Sequence, residues 1–163
     1  MIVYGDFAAE GVADTPVGPD PQMEFLVPYS ESARVRAGHL SACLKDTCGA
    51  MIQAMALADV TIRVARAEQD GGLHRLCLLV DPDLLGGTGR TVDFLLDLRQ
   101  AHPACRVVLA SHGFRGHDFG THRLPLCDAS LALPAQEGEL AIALWAADRN
   151  NAHWVERRMA QMG

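Results

Sequence analysis

The stretch Leu76–Asp81 (LCLLVD), followed by the loop Pro82–Gly89 (PDLLGGTG), is the clearest indication of the fold of this chain. A continuous apolar run with turn residues behind it predicts a strand that is buried on both faces of a parallel sheet. In such sheets, ligands and chemistry gather at the carboxyl ends of the strands. We therefore expect Asp81 to occupy the position of a reactive or metal-binding carboxylate.

Length and composition indicate one globular domain. The chain has 163 residues, of which 49% are hydrophobic and 21% are charged, which is ordinary for a globular protein with a sizeable core. The formal net charge of −6 argues against nucleic acid or an anionic membrane as the main partner. The N-terminal MIVYGDF has no basic region, so we expect no signal peptide. No segment approaches the ~20 apolar residues of a membrane span.

The cysteines predict a cytoplasmic protein. Their number is odd, no pair has CxxC spacing, and three of them lie in or beside strand-like runs, which favours reduced thiols over disulfides. They are Cys43, Cys48, Cys77, Cys105 and Cys127.

Residues 1–21 contain three prolines and several acids, which predict an N-terminal arm ahead of one domain over residues 22–163. Within that domain, short apolar runs alternate with helical stretches, a pattern typical of a doubly wound, parallel α/β sheet. The predicted strands are 24–27, 60–65, 76–80, 106–110 and 129–133. The predicted helices run from Ser30 or Ser32 to about Leu57, from Thr88 or Gly89 to near His102, and from Glu137 to about Met159. The first and last helices are thus long, and the turn at Asp70-Gly71-Gly72 leaves room for only a short second helix between the strands 60–65 and 76–80.

Asp81 ends the predicted third strand, Gly89 follows eight residues later, and Ser111 ends the fourth strand thirty residues after Asp81. The fifth strand ends in Leu133-Pro134. In one gapless register, this pattern resembles the response-regulator receiver domains (CheY-like), a flavodoxin-like signalling family. The resemblance implies that Asp81 is the phosphoacceptor equivalent and that Ser111 is the equivalent of the switch Ser/Thr.

Other positions depart from the family. Active receivers carry two acids at the end of the first strand, which hold Mg²⁺, and a lysine at the end of the fifth. Here Pro28 and Tyr29 follow the first strand, and Leu133 stands at the lysine position. Phosphoryl transfer depends on positioning and charge neutralisation, so Asp81 alone would be a poor phosphoacceptor. We expect a degenerate, stand-alone pseudo-receiver with no cofactor, which is not phosphorylated in the usual Mg²⁺-dependent way.

Asp81-Pro82-Asp83 allows a second interpretation as a metal-binding DxD motif. It resembles the motifs of Toprim-type nucleases and haloacid-dehalogenase-like phosphatases. Two carboxylates at i and i+2 can both reach one divalent cation, so Asp81 and Asp83 with Mg²⁺ would serve a small phosphoesterase or nuclease. In a third interpretation, Asp81 is a true phosphoacceptor whose missing acids come from the N-terminal arm through Asp6.

His112, His117 and His122 recur every five residues between the fourth and fifth strands. Imidazoles on one loop are candidate Zn²⁺ ligands, but five-residue spacing does not align them on one helix face. The surrounding residues are rich in Gly, so we expect a polar loop in which any helix is short or broken.

The end of the last helix predicts a contact surface. The last predicted helix extends beyond the length of a typical receiver's last helix, and this extension contains Trp154, Arg157 and Arg158. Trp and Arg are enriched in interfaces. We expect no output domain after this helix, so the resemblance implies a partner protein in a two-component signalling pathway and a homodimer.

Overall fold

The computed structural model describes residues 22–49 and 51–163, so the predicted arm over residues 1–21 lies outside the described residues. Three short 3-10 turns accompany the main elements, at Glu31–Ala33, Leu73–Arg75 and Pro82–Leu84. The strands are β1 (Glu24–Tyr29), β2 (Met51–Ala56), β3 (Leu76–Val80), β4 (Arg106–Ser111) and β5 (Ala129–Ala132). The helices are α1 (Arg34–Cys48), α2 (Leu57–Gln69), α3 (Thr88–Ala101) and α4 (Glu137–Met162).

The five strands form one parallel sheet in the order β2-β1-β3-β4-β5. This confirms the predicted α/β class and is the strand order of the flavodoxin-like folds. All five residues of β3 are buried, and alternate ones enter opposite cores. Cys77 and Leu79 pack toward α1 and α4, whereas Leu76 and Leu78 pack toward α2 and α3. β3 is therefore the centre of both hydrophobic layers.

The region between α1 and β3 differs from the prediction. The first helix ends at Cys48 and not near Leu57, because Gly49 adopts a left-handed φ of 64° and its N–H bonds to the carbonyl of Lys45. Met51–Ala56, predicted as helix, pairs with β1 as a strand. The 60–65 segment, predicted as a strand, lies within the 13-residue α2, so the predicted short second helix is also wrong. The predicted long last helix is confirmed, since α4 has 26 residues.

The connection from β4 to β5 contains no helix over residues 112–128, as expected for this loop. It folds back along the outer edge of β5 instead. Asp118 and Ser130 exchange backbone hydrogen bonds of 2.8 and 2.7 Å, and the N–H of Ala132 donates to Nδ1 of His117 at 3.0 Å. The loop therefore satisfies edge groups that would otherwise be open to another strand.

A buried ion pair joins α3 to the segment before β5. Arg99 is 1% exposed and Asp128 0%, and two bonds of 2.9 and 2.7 Å connect the guanidinium to the carboxylate. The remaining Arg99 donors bond to the carbonyls of Leu124 and Cys105. The carboxylate also accepts the N–H of Val107 at 2.8 Å. Such bidentate pairs are strong, and burial is tolerated here because the other polar atoms are satisfied.

Two asparagines attach α4 to the same pair. The amide of Asn150 donates to the carbonyl of Asp128 at 2.7 Å, and that of Asn151 donates to the carbonyl of Pro103 at 3.1 Å and lies 3.4 Å from a carboxylate oxygen of Asp128. Cζ of Arg99 lies 5.1 Å from the ring centroid of Trp154. None of the helices in the described part of the chain, α4 included, combines the length and apolarity of a membrane span.

We predict that Asp128→Asn lowers the free energy of unfolding by about 3–5 kcal/mol, because it leaves the buried guanidinium of Arg99 without its counter-charge. The matched control is Asp148→Asn, which removes an ion pair to Arg106 at a carboxylate that is 70% exposed, and which we expect to cost less than about 1 kcal/mol. Chemical denaturation measures both values. Equal losses in the two variants would contradict the role assigned to the buried pair.

We predict that His117→Phe accelerates hydrogen exchange at the amide of Ala132. Phenylalanine can keep the stacking of the His117 ring on Phe119 but offers no acceptor, and one such hydrogen bond is worth about 1 kcal/mol. His117→Asn, whose amide oxygen can replace Nδ1, should preserve protection. Unchanged exchange in the Phe variant would show that the loop does not cap this edge through His117.

Candidate functional site

Asp81 lies directly beyond the carboxyl end of β3 and is 7% exposed. Its Oδ1 accepts the backbone N–H of Asp83 at 3.0 Å, which caps the 3-10 turn Pro82–Leu84. The first position of that turn suits Pro82, because proline has a fixed φ and lacks the N–H that would be left unbonded there. The local sequence therefore fixes the orientation of the carboxylate.

Asp81 and Asp83 line a cleft of about 370 Å³ between the end of the sheet and α1. One face of α1 supplies the opposite wall, since the residues that it contributes recur at helical spacing. His112, the first residue after β4, closes another side. The lining residues are Arg36, His39, Leu40, Cys43, Asp81, Asp83, Leu84 and His112.

The electrostatics of the cleft are mixed in sign. Burial raises the pKa of Asp81 above its ordinary value, and the negative charge of Asp83 adds to that effect. The hydrogen bond from the Asp83 N–H and the positive charges of His112 and Arg36 lower it in part. Arg36 also donates to the carbonyl of Asp83 at 3.4 Å. The carboxylate of Asp81 thus shares the cleft with Arg36 of α1 and with His112 after β4.

The end of β1 reaches the cleft through backbone contacts and not through carboxylates. Pro28 and Tyr29 are both buried and belong to β1, which extends further than predicted. The side chain of Ser30, predicted as a helix cap, makes no cap hydrogen bond. Its N–H and hydroxyl both donate to the carbonyl of Leu84, at 2.9 and 3.1 Å. This ties the first strand to the turn that carries Asp83.

Ser111 and Leu133 lie at the ends of neighbouring strands. The hydroxyl oxygen of Ser111 accepts the N–H of Gly113 at 3.0 Å, and the carbonyl of Ser111 accepts the N–H of Leu133 at 2.9 Å. Ser111 is buried, and the Leu133 side chain packs into the core beneath α1 and α4. The serine hydroxyl therefore stabilises the turn after β4.

The three loop histidines are not brought together. His112 faces the cleft, whereas Nε2 of His117 lies 3.3 Å from Glu139 and Nε2 of His122 lies 2.8 Å from Asp118. Within residues 22–49 and 51–163, no three His, Cys, Asp or Glu side chains are grouped closely enough to hold a metal ion.

The predicted contact surface requires a correction at Trp154, which is 9% exposed because its ring packs against Arg99 of α3. Arg157 is exposed, and Cζ of Arg158 lies 5.9 Å from the Trp154 ring centroid. The surface indole is instead that of Trp145, which is 41% exposed and lies 4.7 Å from Cζ of Arg149.

Sequence reasoning missed three cleft residues on α1, namely Arg36, His39 and Cys43. Their spacing of three and four residues on one predicted helix was the available signal. This spacing alone did not indicate a functional site, because polar residues at helical spacing usually form the solvent-exposed face of a helix.

No family model matches the chain, and no curated protein matches it either. Among solved structures, a response-regulator receiver domain protein from Clostridium thermocellum is 15% identical, with 80% of this chain and 97% of that chain covered and a TM-score of 0.49. A protein from Burkholderia pseudomallei, described as related to pilus assembly, is 18% identical, with 86% and 96% covered and a TM-score of 0.48.

A response regulator from Burkholderia pseudomallei, with a phosphorylated aspartic acid, a calcium ion and citrate, is 22% identical, with 86% of this chain and 75% of that chain covered and a TM-score of 0.45. Two of these three structures are of response-regulator proteins, and the likeness is one of overall structure. At these identities and TM-scores they carry no argument about activity.

We predict that Asp81→Asn stabilises the protein at neutral pH. The pKa of Asp81 is raised by burial, so the folded state favours the protonated form, and stability is lost as the pH rises through the folded-state pKa. The advantage of the neutral amide should therefore shrink as the pH falls toward the ordinary Asp pKa of about 4. Thermal melts across this range measure it. Asp83→Asn, at an exposed neighbour, is the matched control, and an Asp81→Asn effect that does not change with pH would contradict the prediction.

Proposed function

We propose that this chain is a receiver-like signalling protein that acts through protein–protein contacts, without the Mg²⁺-dependent phosphorylation of typical receivers. The proposal is supported by the flavodoxin-like sheet, in which Asp81 directly follows β3 and Ser111 is the last residue of β4. The proposal that the protein works without Mg²⁺-dependent phosphorylation depends on the side chains around Asp81, above all Arg36 and His112.

Mg²⁺ requires several oxygen ligands in near-octahedral geometry, usually with one or two carboxylates and several waters. Around Asp81, the neighbouring groups are the Asp83 carboxylate, Arg36 of α1 and His112 after β4, and the end of β1 contributes no carboxylate. One Asp81 oxygen is already engaged by the N–H of Asp83. Arg36 and His112 line the same cleft as the two carboxylates, and a cationic side chain there competes with a metal ion, which supports a receiver-like protein that works without Mg²⁺.

A phosphoryl group on Asp81 would also lack a fixed lysine. Stabilisation of the charge on the transferring group is the main contribution of a protein to phosphoryl transfer. Leu133 occupies the lysine position, and its buried side chain belongs to the apolar core. The two positive charges of a typical receiver site are Mg²⁺ and a lysine. The residues around Asp81 therefore favour neither of them.

Contact with a partner is supported by the exposed side of α4. Ile142 and Trp145 are one turn apart and 42% and 41% exposed, and Arg149 adds a cation beside the indole. Aromatic residues and arginine are enriched in interfaces. We propose this side of α4, in place of the Trp154 ring, as the surface for a partner protein or a second copy.

We predict that acetyl phosphate with Mg²⁺ adds no phosphate to the protein, as measured by intact-mass spectrometry. Mg²⁺ or Mn²⁺ should likewise leave the melting temperature unchanged. A mass gain of one phosphate that is lost in Asp81→Asn and retained in Asp83→Asn would overturn the proposal in favour of a true phosphoacceptor. A metal-induced rise in melting temperature that is lost in both variants would favour a metal-dependent phosphoesterase.

A further inference from the structure

We propose that Trp154 and Arg158 form a binding site for a carboxylate at the end of the molecule opposite to Asp81. Asp148 of α4 pairs with Arg106, the first residue of β4, and Asn151 bonds to the carbonyl of Pro103 before that strand. Trp154 follows on the next turn of α4. The site therefore lies beyond the amino ends of the strands and is separate from the cleft around Asp81.

Two unpartnered donors define the site. Nε1 of Trp154 and Nε of Arg158 are both buried, and neither has an acceptor among the described residues. Trp154 itself is more than nine-tenths buried. The two residues are four positions apart on one helix, where side chains are neighbours, and the guanidinium of Arg158 lies over the indole ring. Buried N–H donors in native proteins nearly always have an acceptor, so these two groups indicate a place for one.

The positively charged groups beside Trp154 favour an anionic ligand over a neutral acceptor. Two guanidinium groups, those of Arg99 and Arg158, flank the Trp154 ring at 5.1 and 5.9 Å. Asp128 compensates Arg99, but Arg158 has no ion pair within the described part of the chain. Glu156, the neighbouring acid on α4, is directed to His153 at 3.9 Å. One cation and two N–H donors thus remain for one ligand.

A carboxylate matches these groups. It has two acceptor oxygens, one for each N–H donor, and its charge neutralises Arg158 in a charge-assisted hydrogen bond. It can come from a small molecule in solution or from residues 1–21 of this chain, which contain no Lys, Arg or His. The described chain begins at the same end of the sheet as the site, since Arg106 donates to Sδ of Met23 at 3.3 Å and pairs with Asp148 of α4. The acids of that segment are Asp6, Glu10, Asp14 and Asp20.

The indole N–H reports on the site directly. In ¹⁵N-labelled full-length Trp145→Phe protein, the single indole resonance in the ¹H–¹⁵N spectrum belongs to Trp154. We expect sodium acetate, but not sodium chloride at equal ionic strength, to shift this resonance saturably. Arg158→Met in the same background should weaken acetate binding at least tenfold. Arg157→Met, at the adjacent exposed arginine, is the matched control and should leave binding unchanged.

A second protein, with the four acids of residues 1–21 changed to their amides, distinguishes the two sources of the carboxylate. Saturable acetate binding to the unaltered segment supports a ligand from solution. A Trp154 resonance that responds to acetate only after the acids are neutralised supports occupancy by the chain's own segment. No saturable shift in either protein, or equally strong acetate binding to the Arg158→Met and Arg157→Met variants of a protein that does respond, would overturn the proposal.

Discussion

The buried pair of Arg99 and Asp128 is the interaction on which the other parts of the structure depend. Through two side chains it links α3, the start of β4, the segment before β5 and, by way of Asn150 and Asn151, α4. The bond from the Val107 N–H to the Asp128 carboxylate fixes the entry of β4 into the sheet. The β3–β4 register then brings His112 to the cleft beside Asp81. The buried ion pair at the amino ends of the strands thus helps to position His112 beside Asp81 at their carboxyl ends.

The sequence predicted the central and C-terminal parts of the fold well and the first third poorly. Around β3, the apolar run and the glycine-rich loop point to the same structure, so pattern and tertiary environment agree. Between α1 and β3, Met51–Ala56 continues a helical apolar spacing and is poor in β-branched residues, whereas the 60–65 segment is rich in them. Propensity therefore favoured the reverse of the true assignment, and pairing with β1 overrode it. Gly49 was the signal that could have ended α1 correctly.

The position of Asp81 could be predicted, but its surroundings could not. A strand-end carboxylate follows from local pattern, whereas Arg36 and His112 meet it from distant parts of the chain. Nor does any periodicity pair Arg99 with Asp128, because they lie twenty-nine residues apart and each has an ordinary local explanation. Arg99 fits the last turn of a helix, where cations are favoured, and Asp128 fits a turn before a strand. The burial of Trp154 follows from that unforeseen contact.

The loop that lies along β5 has a consequence for how copies of this protein can associate. A parallel sheet has two edges, and one of them is occupied here by the chain's own residues at Asp118 and His117. Strand-to-strand addition between molecules is therefore left to β2, which pairs only with β1 among the described residues. Two copies joined through one such edge close on each other about a two-fold axis, because neither retains a second edge for a third. The fold thus permits a finite pair at its sheet margin and opposes growth into a fibre.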